Sequence, residues 1–195
     1  MKQIAKTGLF IFFVAGLLLT TGAGCATKEE KQAPLDTSTW STYNNSGYKV
    51  SFKYPVAWEK QDKNTENKGL ATLTALLSPL DTAKPDEFSS LTLSIDKNSY
   101  VAGMTLDQYV DQNLTSLQAN PAYVTLDDYT NATLGGEPAK KIVYRWRNGD
   151  QEFKIMQVIA LRNSMAYVAN YTGLPNLYTQ YLPDVQNIIS TFKFE

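Results

Sequence analysis

Residues 155–161, IMQVIAL, form a nearly unbroken apolar run shortly after Asn148-Gly149, a dipeptide suited to a two-residue hairpin turn. A strand that is apolar at adjacent as well as alternate positions needs cover on both of its faces. Two segments can supply that cover. Leu106, Tyr109, Val110, Leu114 and Leu117 recur at helical spacing within 105–118, where Thr105 and Gln108 make a T-x-x-Q capping box. Val185, Ile188, Ile189 and Phe192 do the same near the end, with Pro183 expected in the first turn and an earlier turn around Tyr178 and Tyr181, kinked at Pro183. Helices on opposite faces of one sheet give an α/β/α sandwich.

The remaining strands follow from period two. Tyr48, Val50, Phe52 and Tyr54 alternate with polar residues up to Pro55, after a short strand near Trp40–Tyr43 and a turn at Asn45-Ser46-Gly47. Trp58 is expected to pack back on this sheet. Gln61–Gly69 reads as a polar loop, Leu70–Leu77 and Leu91–Ile95 as strands, and Ser78–Ser90 as an exposed loop. Tyr123–Leu134, Ala139–Arg147, Glu152–Leu161 and Met165–Tyr171 complete the set, with a turn at Gly135–Pro138. The fold class expected is α+β, a central antiparallel sheet of about six to seven strands with two main amphipathic helices, in one domain over residues 40–195.

Ahead of that domain, Lys2 and Lys6 precede an apolar stretch, Gly8–Thr20, and a small-residue segment Gly22-Ala23-Gly24. About 13 apolar residues fall short of the roughly 17–25 that a bilayer span needs. The expectation is a cleaved signal, residues 1–24. Cys25, the single cysteine, would then be the first mature residue and the site of lipidation, with Gly22 where such signals usually carry Leu. An unpaired thiol beside the cut is the alternative. Residues 25–39 read as the lipidated cysteine and a flexible polar tether. The expected location is the extracytoplasmic face of a membrane, at the cell surface or in the periplasm.

Composition narrows the chemistry. The chain has no histidine, so Ser-His-Asp and Cys-His machinery and the usual His/Cys zinc or copper sites are excluded. Its net charge of −1 becomes more acidic once Lys2 and Lys6 are removed, and no Lys/Arg run could neutralise a phosphate backbone, so nucleic acid is not an expected partner. No enzyme is expected.

Several segments, in this order, resemble the PsbP family: GYKVSFKYPVAW, with Gly47, Phe52, Tyr54, Pro55 and Trp58; LGGEPA, Leu134–Ala139; and the closing run to Ile189-Ser190-Thr191-Phe192. The resemblance spans about residues 40–195 and implies an α/β/α fold outside a membrane. In photosynthetic organisms it further implies support of photosystem II and its oxygen-evolving complex, with the thylakoid lumen as the location in a cyanobacterium. Related sequences also occur as plain lipoproteins in bacteria without photosystems. Without histidine, the metal positions of plant members have nothing to map onto.

Two sets of residues stand out as site candidates. Asp127-Asp128 is the adjacent acidic pair of the domain, and Asp81, Asp86 and Glu87 share a loop; either set could hold calcium weakly through oxygen ligands, although a solvated loop is the plainer reading. Two carboxylates can also hydrolyse glycosides, but nothing places a second one opposite the first. Tyr100, Tyr123, Tyr129 and Trp146 are the candidates for partner contact, since Tyr and Trp offer rigid amphipathic area. The function expected is a non-catalytic, membrane-tethered module that docks on or assists assembly of a membrane protein complex. A small-ligand or calcium-binding surface lipoprotein is the alternative.

Overall fold

In the computed structural model the described residues are 36–80, 84 and 87–195. The signal segment 1–24 and Cys25 lie outside them. Ten strands and two helices follow in order: β1 Ser41–Asn45, β2 Val50–Tyr54, β3 Glu59–Asn67, β4 Leu70–Leu77, β5 Ser90–Asp96, α1 Leu106–Gln118, β6 Tyr123–Leu134, β7 Glu137–Asn148, β8 Gln151–Arg162, β9 Met165–Gly173, α2 Pro175–Ser190 and β10 Lys193–Phe194. A 3-10 turn, Ser99–Gly103, links β5 to α1. Seven strands form an antiparallel sheet in the order β3-β4-β5-β9-β8-β7-β6, and three form a smaller one, β1-β2-β10.

β8, the IMQVIAL strand, lies between β9 and β7 and is buried from both sides. Met156, Val158 and Ala160 join a core with Tyr178, Val185 and Ile188 of α2. Ile155 and Ile159 join a second core with Tyr109 and Val110 of α1. The helices therefore occupy opposite faces and the fold is α+β in three layers. Both halves of the α1 capping box are made: the Thr105 hydroxyl accepts from the Gln108 N–H at 3.2 Å, and the Gln108 side chain accepts from the Thr105 N–H at 2.9 Å.

The small sheet packs on the α2 side. Val50, Phe52 and Tyr54 turn inward with Tyr43 and Phe192. Just before β10, the Thr191 hydroxyl accepts from the Lys53 N–H (2.8 Å) and donates to the Ile188 carbonyl (2.7 Å), continuing the ladder to β2 with a side chain.

Three local expectations shift. Gln61–Gly69 is mostly strand: β3 pairs with β4 as a sheet edge, and its charged side chains hide the strand because an edge has little to bury and gains from charge that deters further pairing. The hairpin loop after β7 is Gly149-Asp150, since Asn148 pairs with Gln151; only Gly149 has positive φ, the requirement of a type II′ turn. Two positive φ angles of a type I′ turn occur instead at Asn163-Ser164, 51° and 60°. Finally, α2 starts at Pro175 and carries Pro183 in its interior. Burial of Tyr178 against Tyr171, rings stacked at 4.8 Å, holds the extra turns in the helix.

Candidate functional site

The register of β6 against β7 places three of the four aromatic candidates on one face. Tyr123 pairs directly with Trp146, and Tyr129 with Ile142, so all three rings lie on the α1 face beside the sheet edge. Tyr144 sits between Tyr123 and Trp146, with ring centroids at 6.4 Å and 6.5 Å. Leu117, Leu126 and Phe153 pack around them, half-buried, and Val124 and Tyr129 are 37% and 38% exposed. The Tyr129 hydroxyl donates to Asp111 of α1 at 2.8 Å. Desolvation first and the Asp111 carboxylate second push the Tyr129 phenol up to about 12. Tyr100 stands apart from this group in sequence position, in the 3-10 turn.

The acidic pair lies on the opposite face. Asp127 is the extra residue of a bulge in β6, between Leu126 and Asp128. Its carboxylate takes Arg145 at 3.1 Å and Lys154 at 3.5 Å, while Asp128 takes Lys141 at 2.8 Å. Glu152 continues the chain of charges to Arg145 (3.4 Å) and Arg147 (3.6 Å). A cation at Asp127-Asp128 would have to displace these lysines and arginines. Among the described residues no three carboxylates, cysteines or histidines group as metal ligands. Asp81 and Asp86 lie outside the described residues, and Glu87 pairs with Lys84 at 3.1 Å.

A third feature, unforeseen in the sequence, is a cleft of about 460 Å³ where α1 leaves the sheet uncovered. Its floor carries Thr92 and Ser94 of β5, Asn170 of β9 and Gln157 of β8, and Tyr109 and Asn113 of α1 form one wall. Gln157 donates to the Tyr144 hydroxyl (3.3 Å) and to Asn170 (3.0 Å), whose own amide donates to Thr172 (3.1 Å). At one end Asp96, 6% exposed, accepts from the Tyr109 hydroxyl at 3.1 Å and from the Asn98 N–H and amide at 3.0 and 2.8 Å. The available signals were Gln157 breaking the IMQVIAL run and Asn170 within β9. At period two, such residues look like an ordinary solvated face.

The family model of DcrB matches residues 82–191. That span exceeds half of the chain, from position 82, between β4 and β5, to the residue that follows α2. The chain belongs to the DcrB family. Three solved structures resemble this DcrB-family fold. CyanoP, the cyanobacterial PsbP of Synechocystis sp. PCC 6803, has a TM-score of 0.53 at 15% identity, over 83% of this chain and 96% of that one. LpqN, involved in cell envelope biogenesis of Mycobacterium tuberculosis, has 0.56 at 16%, over 79% and 84%. A protein of unknown function from Pseudomonas aeruginosa has 0.55 at 16%, over 78% and 94%. No curated protein matches in sequence. The likeness to PsbP thus stands at the level of fold, and the family is DcrB. Among the described residues no helix is long and apolar enough to cross a membrane.

Proposed function

We propose that this DcrB-family chain is a non-catalytic module, lipid-tethered through Cys25 on the extracytoplasmic face of a membrane, that docks on a membrane protein complex or assists its assembly. One observation carries the docking half: Tyr123, Tyr129 and Trp146 share the rim of the α1 face beside an edge strand. Tyr and Trp are residue types enriched among interface anchors, and half-buried aromatic rings need little further ordering on contact. The tether half rests on the Lys2/Lys6, Gly8–Thr20, Cys25 pattern. The partner is stated by its chemistry, a membrane protein presenting apolar surface. A photosystem would be the specific partner in a photosynthetic host.

The two halves are tested separately. Intact-mass spectrometry of the membrane fraction should find Cys25 as a diacylated N-terminus, and an unmodified N-terminus upstream of it would remove the tether. Crosslinking and affinity capture from membranes should return one reproducible membrane-protein partner that is lost with Trp146→Ala. Recovery of the domain alone would count against docking.

A further inference from the structure

The middle strands of a three-layer fold ordinarily bury apolar side chains on both faces. On the α2 face β5 and β9 do so, with Leu91, Leu93, Ile95, Tyr167, Ala169 and Tyr171. On the α1 face the same strands carry Thr92, Ser94, Asn170 and Thr172 beside Ala166 and Val168. The cause is width: α1 packs chiefly over β7 and β8, and a helix about 10 Å across covers about two strands spaced about 4.8 Å apart. Antiparallel sheets often have one wet face, so polarity alone decides nothing. Two further features separate this surface from a merely wet one. It is walled into a cleft by Tyr109 and Asn113, and its polar side chains are fixed by bonds to one another and to the nearly fully buried carboxylate of Asp96.

We infer that this cleft binds a neutral saccharide. Its volume of about 460 Å³ falls within the range of small-ligand sites. Side-chain amides and hydroxyls both donate and accept, which suits a ligand whose every hydroxyl does the same. No lysine or arginine lines the cleft, and the charged group at its end is a carboxylate, so phosphate, sulfate and acidic ligands have no counter-charge there. Leu70, 45% exposed, and half-buried Val168 supply apolar surface for the C–H face of a pyranose ring. The amides are already oriented by the Gln157–Asn170 pair, so little ordering remains for the bound state. The site is distinct from the aromatic rim and does not depend on the docking reading.

The test is calorimetry on the full chain purified from membranes in a polyoxyethylene detergent, which carries no sugar. Maltotetraose, cellotetraose and chitotetraose are titrated to millimolar concentration, with inorganic phosphate as the anionic comparison. At least one tetrasaccharide should bind and phosphate should not. Asn170→Ala and Asn113→Ala should each weaken that binding about tenfold, the loss expected for a well-placed hydrogen bond. Asn113 sits on α1, where alanine is helix-compatible, so this variant stays folded even if Asn170→Ala does not. Absence of binding by all three sugars, binding of phosphate instead, or affinity unchanged in the Asn113→Ala protein would overturn the inference.

Discussion

Trp58 donates its indole N–H to the carboxylate of Asp184 at 3.2 Å, fastening the segment after β2 to the second half of α2. The ring is 3% exposed and meets Tyr181 edge-on at 5.7 Å. Trp58→Ala should therefore cost about 3–5 kcal/mol, chiefly through the cavity it leaves. Asp184→Ala, which strands the buried N–H, should cost about 1–3 kcal/mol, and Asp184→Asn less because an acceptor remains. Urea midpoints measure all three, and an Asp184→Ala midpoint equal to that of the parent would contradict the assignment.

The two glycines that turn β6 into β7 should respond differently to alanine. Both have positive φ, 59° at Gly135 and 86° at Gly136, so both substitutions strain the backbone. A Cβ on Gly135 would also stand 2.7 Å from the Phe194 ring, whereas one on Gly136 meets nothing within 4 Å. Gly135→Ala should lose more stability than Gly136→Ala by about 1–3 kcal/mol, the usual cost of overpacking. Thermal melts of the two variants give the comparison, and equal losses would place Phe194 elsewhere.

The capping box at the start of α1 gives a third prediction. Thr105→Ala removes the acceptor of the Gln108 N–H and should cost about 1 kcal/mol; Thr105→Ser should cost much less. Circular dichroism melts of the two variants provide the check. A Thr105→Ala variant as stable as Thr105→Ser would show that the box contributes nothing.

Alkaline pH should unfold the protein through its buried phenols. Desolvation pushes Tyr144 up to about 12, and desolvation with the nearby Asp127 and Asp128 charges does the same for Tyr178; the Tyr171 phenol is raised further. These groups bind their proton more tightly folded than unfolded. Their stabilisation is complete below pH 10 and is lost as pH rises from about 10 through about 12. For Tyr144 the loss is on the order of 2–3 kcal/mol. Absorbance of tyrosinate against pH should show one group of tyrosines titrating near 10 and another rising only with unfolding, and Tyr144→Phe should flatten part of the alkaline loss. A single titration near 10 in the folded protein would contradict this.

Legibility in the sequence followed the range of the physics involved. Thr105 with Gln108, the alternation of Val50, Phe52 and Tyr54, and the two-faced IMQVIAL strand are local patterns, and each forms where its spacing places it. β3 escaped because an edge strand of Glu, Lys, Asp and Asn has no apolar face to betray it. At Asn148 the dipeptide suggested the turn one residue early, and the pairing of Asn148 with Gln151 was decided by register across the whole hairpin. Tyr123, Tyr129 and Trp146 could be named as candidates from residue type, but their sharing one face depends on two bulges in β6 that no short motif encodes. The cleft stayed hidden for a related reason: Gln157 and Asn170 are 13 residues apart, and only the β8–β9 register joins them.

The central claim is that the aromatic rim of β6 and β7 is the docking surface of a tethered module. Its most direct test places a photo-crosslinking side chain, p-benzoylphenylalanine, at position 146 of the full chain in native membranes, with the same group at position 63 on the opposite sheet edge as control. A discrete adduct with one membrane protein from position 146, absent from position 63, is the result expected. Equal adducts from both positions, or none from position 146, would contradict it.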